Sequence, residues 1–212
     1  MDTRLTELSV DELVARLASD APVPGGGSAS ALAGSLAAAL VHMVVELTAG
    51  RSEAAGDEAA LGEIRVAAAS LRSELTRLVD ADAAAYASVM AARRLPRDSD
   101  LERDARRVQL EAAIREATRA PLATARHASD VLELAERMAP IGNRNAVSDI
   151  GVAALLAAAA IRGAILNVRI NLPFVTNDEE LRTGAEAEVT RLLTGLEERE
   201  RSVRDAVAER IG

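Results

Sequence analysis

Residues 24–48, PGGGSASALAGSLAAALVHMVVELT, join a proline–glycine turn to the most apolar run of the chain. Alanine is the best helix former, so the run predicts a helix from Ser28 to Thr48, and its small side chains would let another helix approach closely. The run is long enough to cross a bilayer. However, it is mostly alanine and other small residues, and it carries His42 and Glu46. We therefore predict that it is a buried core helix.

The rest of the chain is predicted to be helical as well. Of its 212 residues, 49% are apolar and 27% charged, and glycine and proline are confined to a few places. This composition is typical of one globular domain, residues 1–212, around a single core. Apolar spacing and capping residues predict five further helices. The first covers residues 10–17 after a capping box at Ser9 and Glu12, and the second covers about 57–92. The third runs from a capping box at Ser99 and Glu102 to Met138, with a break or kink at Pro121, and the last two cover 145–172 and 177 to the C-terminus.

The predicted fold class is all-α, an elongated antiparallel helical bundle. Two of the predicted helices approach or exceed thirty residues, and together with the small-residue stretches they have more helix face than one core can cover. We therefore expect a homodimer.

Composition excludes several classes of chemistry. The net charge of −8 and the pI of about 5.0 argue against a nucleic-acid partner. There is no cysteine, all 25 basic residues are arginine, and only His42 and His127 could supply imidazole. These counts exclude thiolate nucleophiles and lysine Schiff bases, and they predict neither a metal site nor a cofactor. The N-terminus has no signal-peptide pattern, so a cytoplasmic location without a membrane partner is expected.

Three stretches have the polar groups that a functional site needs. The first is the turn formed by Gly25, Gly26, Gly27 and Ser28 directly before a helix. Consecutive glycines expose backbone N–H groups, and a helix N-terminus favours anions, so a phosphate or carboxylate could dock there. A tight turn that permits close packing explains the same residues, and from the pattern alone it is the more common explanation.

The second stretch contains two aspartates on one helix. With Leu71 set to 0° on a helical wheel, Asp82 falls at about 20° among the apolar positions, and Asp80 at about 180°. A carboxylate on the inward face costs free energy unless it is paired or used, and burial raises its pKa toward the range of proton transfer. Either a catalytic role for Asp82 or a structural hydrogen bond to a neighbouring helix fits the pattern.

The third stretch is a polar loop-to-helix junction, followed by an apolar helix that ends in two asparagines. The candidates for binding a small molecule are Asn143, Arg144, Ser148, Asp149, Asn167 and Asn171. Polar groups that converge on apolar walls are typical of such a pocket. Helix capping by Asn145 or Ser148 would explain some of these residues, though not all of them.

Six blocks along the chain resemble, in order, those of the cyclodeaminase/cyclohydrolase family. That family includes the C-terminal domain of formimidoyltransferase-cyclodeaminase and free-standing methenyltetrahydrofolate cyclohydrolases. The resemblance covers nearly the whole chain and is carried by Pro24-Gly25-Gly26-Gly27-Ser28, Leu78-Val79-Asp80-Ala81-Asp82 with Tyr86, Arg94-Leu95-Pro96, Pro121-Leu122, Gly142-Asn143 with Ser148-Asp149, and Asn167-Val168-Arg169-Ile170-Asn171-Leu172.

The resemblance implies an all-helical homodimer that binds a tetrahydrofolate derivative without a metal or a tightly held cofactor. It also implies that Asp82 is the catalytic aspartate, and it places Tyr86 where family members often have phenylalanine. The chain contains no formimidoyltransferase domain, which favours hydrolysis of 5,10-methenyltetrahydrofolate over release of ammonia from 5-formiminotetrahydrofolate. The alternative to an enzyme is a non-catalytic helical scaffold. The alanine-rich helices and the charged stretch from Glu197 to Arg204 support this alternative.

Overall fold

The computed structural model describes residues 4–49 and 58–211, and every regular element in these residues is helical. The prediction of an all-α fold is therefore confirmed. The α-helices are α1 (Val10–Leu17), α2 (Gly26–Thr48), α3 (Glu58–Arg93), α4 (Asp100–Met138), α5 (Val147–Asn171), α6 (Glu179–Leu193) and α7 (Leu196–Ile211), with short 3-10 helices at Leu5–Glu7 and Leu172–Phe174. The start predicted for the third helix, residue 57, lies outside the described residues.

Helices α2 to α5 form an up-down-up-down bundle in which each helix packs against the next and α5 returns to α2. The interior is filled by aliphatic side chains such as Val41 of α2, Ile64 of α3, Leu132 of α4 and Ile161 of α5, all fully buried. Helix α7 covers α4 and α5 from outside, and α6 packs on the same pair. Helix α2 contacts three other helices, which confirms the prediction that it is a core helix.

The four bundle helices differ in length, and this difference creates the region of interest. At 1.5 Å per residue, α3 and α4 span about 54 and 58 Å, whereas α2 and α5 span about 35 and 38 Å. The loop end of the α3–α4 hairpin therefore extends past the first residue of α2 and the last residue of α5. We call this extension the arm, residues 83–118. A separate apolar cluster, which includes Val89, Ile114 and Val175, holds it together.

Helix α4 continues through Pro121, so of the two predicted outcomes, a break or a kink, the break is wrong. Proline has no N–H group, which leaves the carbonyl oxygen of Ala117 without its usual partner four residues later. In the structure the side chain of Asn171 donates from Nδ2 to that oxygen at 2.7 Å. A neighbouring helix thus satisfies the carbonyl that the proline orphans, and α4 continues.

The helix termini agree with the sequence at three places and differ at the start of α5. The capping boxes at Ser9 and Ser99 are present, and Asp178 caps α6 by accepting a hydrogen bond from the N–H of Leu181. Neither Asn145 nor Ser148 caps α5, which begins after Ala146 without a side-chain cap.

The predicted last helix is in fact two helices, α6 and α7. They are separated by Gly195, whose φ of +70° is a left-handed conformation that ends helices and favours glycine. The sequence signal for this break was a single glycine in a charged helical pattern, which is weak by itself.

Among residues 4–49 and 58–211, two helices, Gly26–Thr48 and Val147–Phe174, are long and apolar enough to cross a membrane by length and composition. Each contributes one face to the core of the bundle, and the core helices of soluble proteins meet the same criteria. In the apolar 18-residue stretch of each helix, 56% is buried inside the protomer. Their remaining apolar surface is therefore uncovered in a single chain.

Candidate active site

The carboxylate of Asp82 lies at the N-terminus of α2, where the bundle ends and the arm begins. The hydroxyl of Ser28, the third residue of α2, donates to Asp82 Oδ2 at 3.0 Å. The first backbone N–H groups of a helix have no partner within the helix, and they and the helix dipole favour a negative charge. The sequence indicated that an external phosphate or carboxylate could dock at the glycine-rich turn. In the structure the carboxylate at this turn is that of Asp82, a residue of the same chain.

Gly27 is the residue that allows this close approach. A Cβ atom added at Gly27 would lie 2.1 Å from Asp82 Oδ1 and 2.5 Å from its Cγ, distances at which the carboxylate would have to move. A Cβ at Gly26 would meet only Asn167 Nδ2, at an ordinary 3.5 Å, and one at Gly25 would meet nothing within 4 Å. Of the three consecutive glycines, only Gly27 is required sterically.

Burial raises the pKa of the Asp82 carboxyl, because the charged form loses water, while hydrogen bonds from the hydroxyl and backbone N–H of Ser28 oppose the rise. The net effect is a pKa above the ordinary value of an aspartate. A carboxylate with a raised pKa is a stronger proton acceptor than one at the surface. Together with its partly exposed position, this makes Asp82 a suitable general base.

Asp80 faces the other way, as the helical wheel predicts. Its Oδ1 accepts a hydrogen bond from the backbone N–H of Leu5 at 2.7 Å, and its Oδ2 accepts one from the hydroxyl of Thr6 at 2.6 Å. Asp80 thus fastens the segment before α1 to the outside of α3. The sequence indicated the direction of this side chain but not its partner, which is 75 residues away along the chain.

Beyond Asp82, three exposed side chains lie on the arm or at its base, at the same end of the bundle. Tyr86 lies one helical turn further along α3, and its side chain is 43% exposed. Arg93 lies at the end of α3, with its guanidinium carbon 5.9 Å from the ring centroid of Phe174. Phe174 belongs to the 3-10 helix after α5 and is 51% exposed. The two aromatic residues of the chain therefore lie on the same end of the bundle as Asp82.

The two asparagines of α5 also lie at this end, with different contacts. Asn167 donates from Nδ2 to the carbonyl oxygen of Gly163 at 2.9 Å and lies beside Gly26. Its Oδ1 accepts no hydrogen bond from the part of the chain that the structure describes, so this oxygen can accept one from a ligand. Asn171 uses its amide nitrogen to satisfy Ala117, as described above, so much of its hydrogen-bonding capacity is structural.

The other four candidates lie at the opposite end of the bundle. Asn143 contacts the C-terminus of α2, where its Nδ2 donates to the carbonyl oxygen of Leu47 at 2.9 Å. Ser28 and Leu47 are nineteen residues apart on one helix, so this end is about 30 Å from Asp82. The sequence suggested one convergent set, and within one protomer the structure does not bring it together. The residues at this far end are Asn143, Arg144, Ser148 and Asp149.

The arm also has an apolar groove that is separate from Asp82. A groove of about 680 Å³ runs between α3 and α4 on another side of the arm, lined mostly by alanines between Ser88 and Glu116. It has few polar groups and does not include Asp82. We place the candidate site at Asp82, because a positioned carboxylate with a raised pKa is a chemical feature and an apolar groove is not.

Among residues 4–49 and 58–211, no three histidine, cysteine, aspartate or glutamate side chains are grouped so that they could hold a metal ion. The site consists of the Asp82 carboxylate, the Ser28 hydroxyl that donates to it and Tyr86 one helical turn away, with Arg93 and Phe174 further along the arm. Such a set can take a proton from a bound water and surround a flat aromatic ligand.

The sequence patterns singled out Asp82, the glycine turn and Tyr86, but they pointed neither to Phe174 nor to Arg93 as members of this region. A signal for Arg93 was present, since residues 82, 86, 89 and 93 repeat at the spacing of one helix face. No comparable signal existed for Phe174, which reaches this end through the packing of α5 against α4.

Comparison with known proteins gives one consistent result. The family model described as Formiminotransferase-cyclodeaminase matches residues 9–191. The chain is 42% identical to the methenyltetrahydrofolate cyclohydrolase of Methylorubrum extorquens over 163 residues, 77% of this chain and 78% of that protein. It is 34% identical to the formimidoyltransferase-cyclodeaminase of Rattus norvegicus over 174 residues, which are 82% of this chain but 32% of that longer protein.

A solved structure shares the fold over almost the full length of both chains. The crystal structure of formiminotetrahydrofolate cyclodeaminase from Thermotoga maritima superimposes with a TM-score of 0.85 at 28% sequence identity, covering 97% of this chain and 98% of the other. The sequence blocks, the helical bundle and these matches agree, and the chain belongs to the formiminotransferase-cyclodeaminase family.

Proposed function

We propose that this protein is a methenyltetrahydrofolate cyclohydrolase, which hydrolyses 5,10-methenyltetrahydrofolate to 10-formyltetrahydrofolate. The observation that carries the proposal is the Asp82 carboxylate, held at the N-terminus of α2 by Ser28 and left room by Gly27. Support comes from the relative of that name, which is 42% identical and matches this chain over 78% of its own length.

The chemistry requires little beyond a base and a water. The bridging carbon of the substrate is part of an amidinium cation and is already electrophilic. Water adds to this carbon while Asp82 accepts one of its protons. The bond from the carbon to N5 then breaks, N5 receives a proton, and the remaining hydroxyl loses its proton to become the formyl oxygen. One proton is released to solvent overall.

Asp82 also stabilises the substrate before the reaction, because its negative charge lies beside the cationic carbon. Tyr86 is placed to lie against a flat ring, and Asn167 Oδ1 can accept a hydrogen bond from the pterin. Gly25, Gly26 and Ser28 lie beside Asp82 at the start of α2, where the two glycines offer a ligand only backbone atoms, which an alanine would keep. The net charge of −8 supports an enzyme that acts on a small molecule and has no nucleic-acid partner. We propose that it acts in the cytoplasm and does not bind membranes.

The second candidate is formimidoyltetrahydrofolate cyclodeaminase, because the fold matches a cyclodeaminase over 97% of the chain. In that reaction, N10 attacks the formimino carbon and ammonia leaves. Asp82 would serve it equally well, by moving a proton from N10 toward the departing nitrogen.

The test compares the two reactions on purified protein. We expect the absorbance of 5,10-methenyltetrahydrofolate to fall faster than it does spontaneously, at a rate unchanged by EDTA. Ammonia release from 5-formiminotetrahydrofolate should be slower or absent. A faster ammonia release would reverse the order of the two candidates, and loss of hydrolysis with the chelator would contradict the metal-free mechanism.

We also propose that the active form is a homodimer built on the uncovered side of α2 and α5. On α5, exposed residues recur at intervals of four and three, the spacing of a helix-packing face. They are Ser148, Val152, Leu155, Ala159, Arg162 and Leu166. On α2, the neighbouring exposed side chains are Leu36, Met43 and Leu47. An apolar surface of this extent on the two most apolar helices is typical of an interface.

A twofold axis perpendicular to these helices would also bring the separated candidates together. Helices α2 and α5 are antiparallel, with the Asp82 end and the Asp149 end at opposite limits of the same side. Rotation by 180° about the middle of this side places the Asp149 end of one protomer over the Asp82 end of its partner. Each of the two sites would then contain Asp82 from one chain and Asn143, Arg144, Ser148 and Asp149 from the other.

The first expected result is a sedimentation mass near twice the 22.2 kDa of the chain. The second comes from mixing two variants, Asp82→Asn and Asp149→Asn, each expected to be weakly active alone. After subunit exchange, mixed dimers contain one intact site, which should restore about a quarter of the wild-type activity. A fully active monomer, or no recovery in mixtures shown to exchange subunits, would contradict the shared site.

A further inference from the structure

One face of α3 connects Asp82 to the end of the arm. Taking 100° per residue, Asp82, Tyr86, Val89 and Arg93 fall within about 60° of one another. Val89 is buried in the arm, while Tyr86 and Arg93 are exposed. Arg93 lies eleven residues beyond Asp82, which is about 16 Å along the helix axis. A ligand that begins at Asp82 and follows this face meets an aromatic ring first and a cation last.

The guanidinium of Arg93 is held in place by an aromatic ring. Its Cζ lies 5.9 Å from the ring centroid of Phe174, within the range of a cation–π contact. The backbone carbonyl of Arg93 accepts hydrogen bonds from Arg106 at 3.4 Å, a contact that leaves the Arg93 side chain available. The Phe174 contact orients the guanidinium without neutralising its charge.

Arg93 has no carboxylate partner within residues 4–49 and 58–211, a property that it shares with Arg94, Arg97 and Arg106. Among the described arginines of the arm, it is distinguished by its contact with an aromatic ring. Arg107 pairs with Asp104 and Glu111, and Arg115 pairs with Asp178 at 3.1 Å. A guanidinium that is oriented, exposed and unpaired can form a bidentate contact with an external carboxylate.

The chemistry of the proposed substrate supplies a group for this position. A tetrahydrofolate has its one-carbon unit at one end, a benzene ring in the middle and a glutamate with free carboxylates at the other end. Resting on the proposed function, we infer that Arg93, oriented by Phe174, binds a glutamate carboxylate of the folate. Tyr86 then lies beside the benzene ring and Asp82 beside the reacting carbon. This assigns the direction in which the substrate lies along α3.

The test uses Arg93→Gln with two substrates, 5,10-methenyltetrahydrofolate and the matching methenyltetrahydropteroate, which has no glutamate. Loss of a charge-assisted carboxylate contact should raise KM for the folate about ten- to a hundred-fold, with little change in kcat. The KM for the pteroate compound should stay at its wild-type value. Phe174→Leu should give a smaller rise in KM for the folate alone, because the guanidinium remains but is less well oriented.

Arg94→Gln is the matched control, since it removes the same charge from the exposed residue that directly follows α3. Equal effects of Arg93→Gln and Arg94→Gln, or an equal rise in KM for both substrates, would overturn the inference while leaving the cyclohydrolase proposal intact. Wild-type protein that hydrolyses neither substrate would instead contradict the proposed function itself.

Discussion

Replacing Asp82 with asparagine should lower kcat for hydrolysis of 5,10-methenyltetrahydrofolate by about two orders of magnitude or more, the usual contribution of a positioned proton acceptor. Asparagine keeps the size of the side chain and can still accept the hydrogen bond from Ser28, so the geometry is preserved while the base is lost. The wild-type rate should fall as the pH drops through the raised pKa of Asp82, and steady-state kinetics across pH would measure both effects.

The same variant should be at least as stable as the wild type at neutral pH. The pKa of Asp82 is higher in the folded protein than in the unfolded chain, so ionisation opposes folding at every pH above the folded-state pKa. Below the unfolded-state pKa both states are protonated and this penalty vanishes. Any gain in thermal stability from Asp82→Asn should therefore be present at neutral pH and shrink as the pH falls.

Asp80→Asn is the control for this experiment, because Asp80 is on the same helix but faces the segment that contains Leu5 and Thr6. We expect little change in kcat. Equal losses from the two substitutions would contradict the assignment of Asp82 as the base. Asp82→Leu distinguishes an enzyme from a scaffold, because leucine would complete the apolar stripe of α3. A scaffold should keep its fold and its function with this substitution, whereas an enzyme should lose its activity.

Gly27→Ala should reduce activity about as severely as loss of the base. The added Cβ would occupy the space of the Asp82 carboxylate, 2.1 Å from Oδ1, and would force that side chain to rotate away from Ser28. Alanine is a better helix former than glycine, so the fold should tolerate the change better than the activity does. The expected result is a large loss of kcat with a melting temperature close to that of the wild type.

Gly25→Ala and Gly26→Ala are matched controls within the same glycine run. A Cβ at Gly25 meets open space, and one at Gly26 makes an ordinary contact with Asn167. Both variants should keep most of the hydrolytic activity. If all three alanine variants lose activity equally, the run would be needed for backbone approach to the ligand, and the steric role of Gly27 would be wrong.

The helices and the inward direction of the Asp82 side chain could be read from local patterns. Alanine-rich runs, two capping boxes and the angular separation of Asp80 from Asp82 are properties of neighbouring residues, so they survive in any tertiary arrangement. At 3.6 residues per turn, the Asp82 side chain was predicted to point toward a second helix. The structure shows that its partner on that helix is Ser28.

What local patterns could not determine depends on contacts between distant residues. A break at Pro121 was the correct local expectation, and it fails because Asn171, fifty-four residues away, donates to the orphaned carbonyl of Ala117. The split at Gly195 depends on a positive φ that a lone glycine permits but does not require.

The sequence by itself therefore determined the all-helical class, the family and the aspartate that faces inward. Only the tertiary structure decided which candidates share an end of the bundle, because helix length and packing set that distance. In the structure Asp82 lies beside Gly27 and Asn167 beside Gly26, with Arg93 and Phe174 further along the arm. The Asn143–Asp149 junction lies about 30 Å away, at the other end of α2. Local periodicity records which face a residue occupies, whereas the end of the bundle at which it lies is set by how the helices pack.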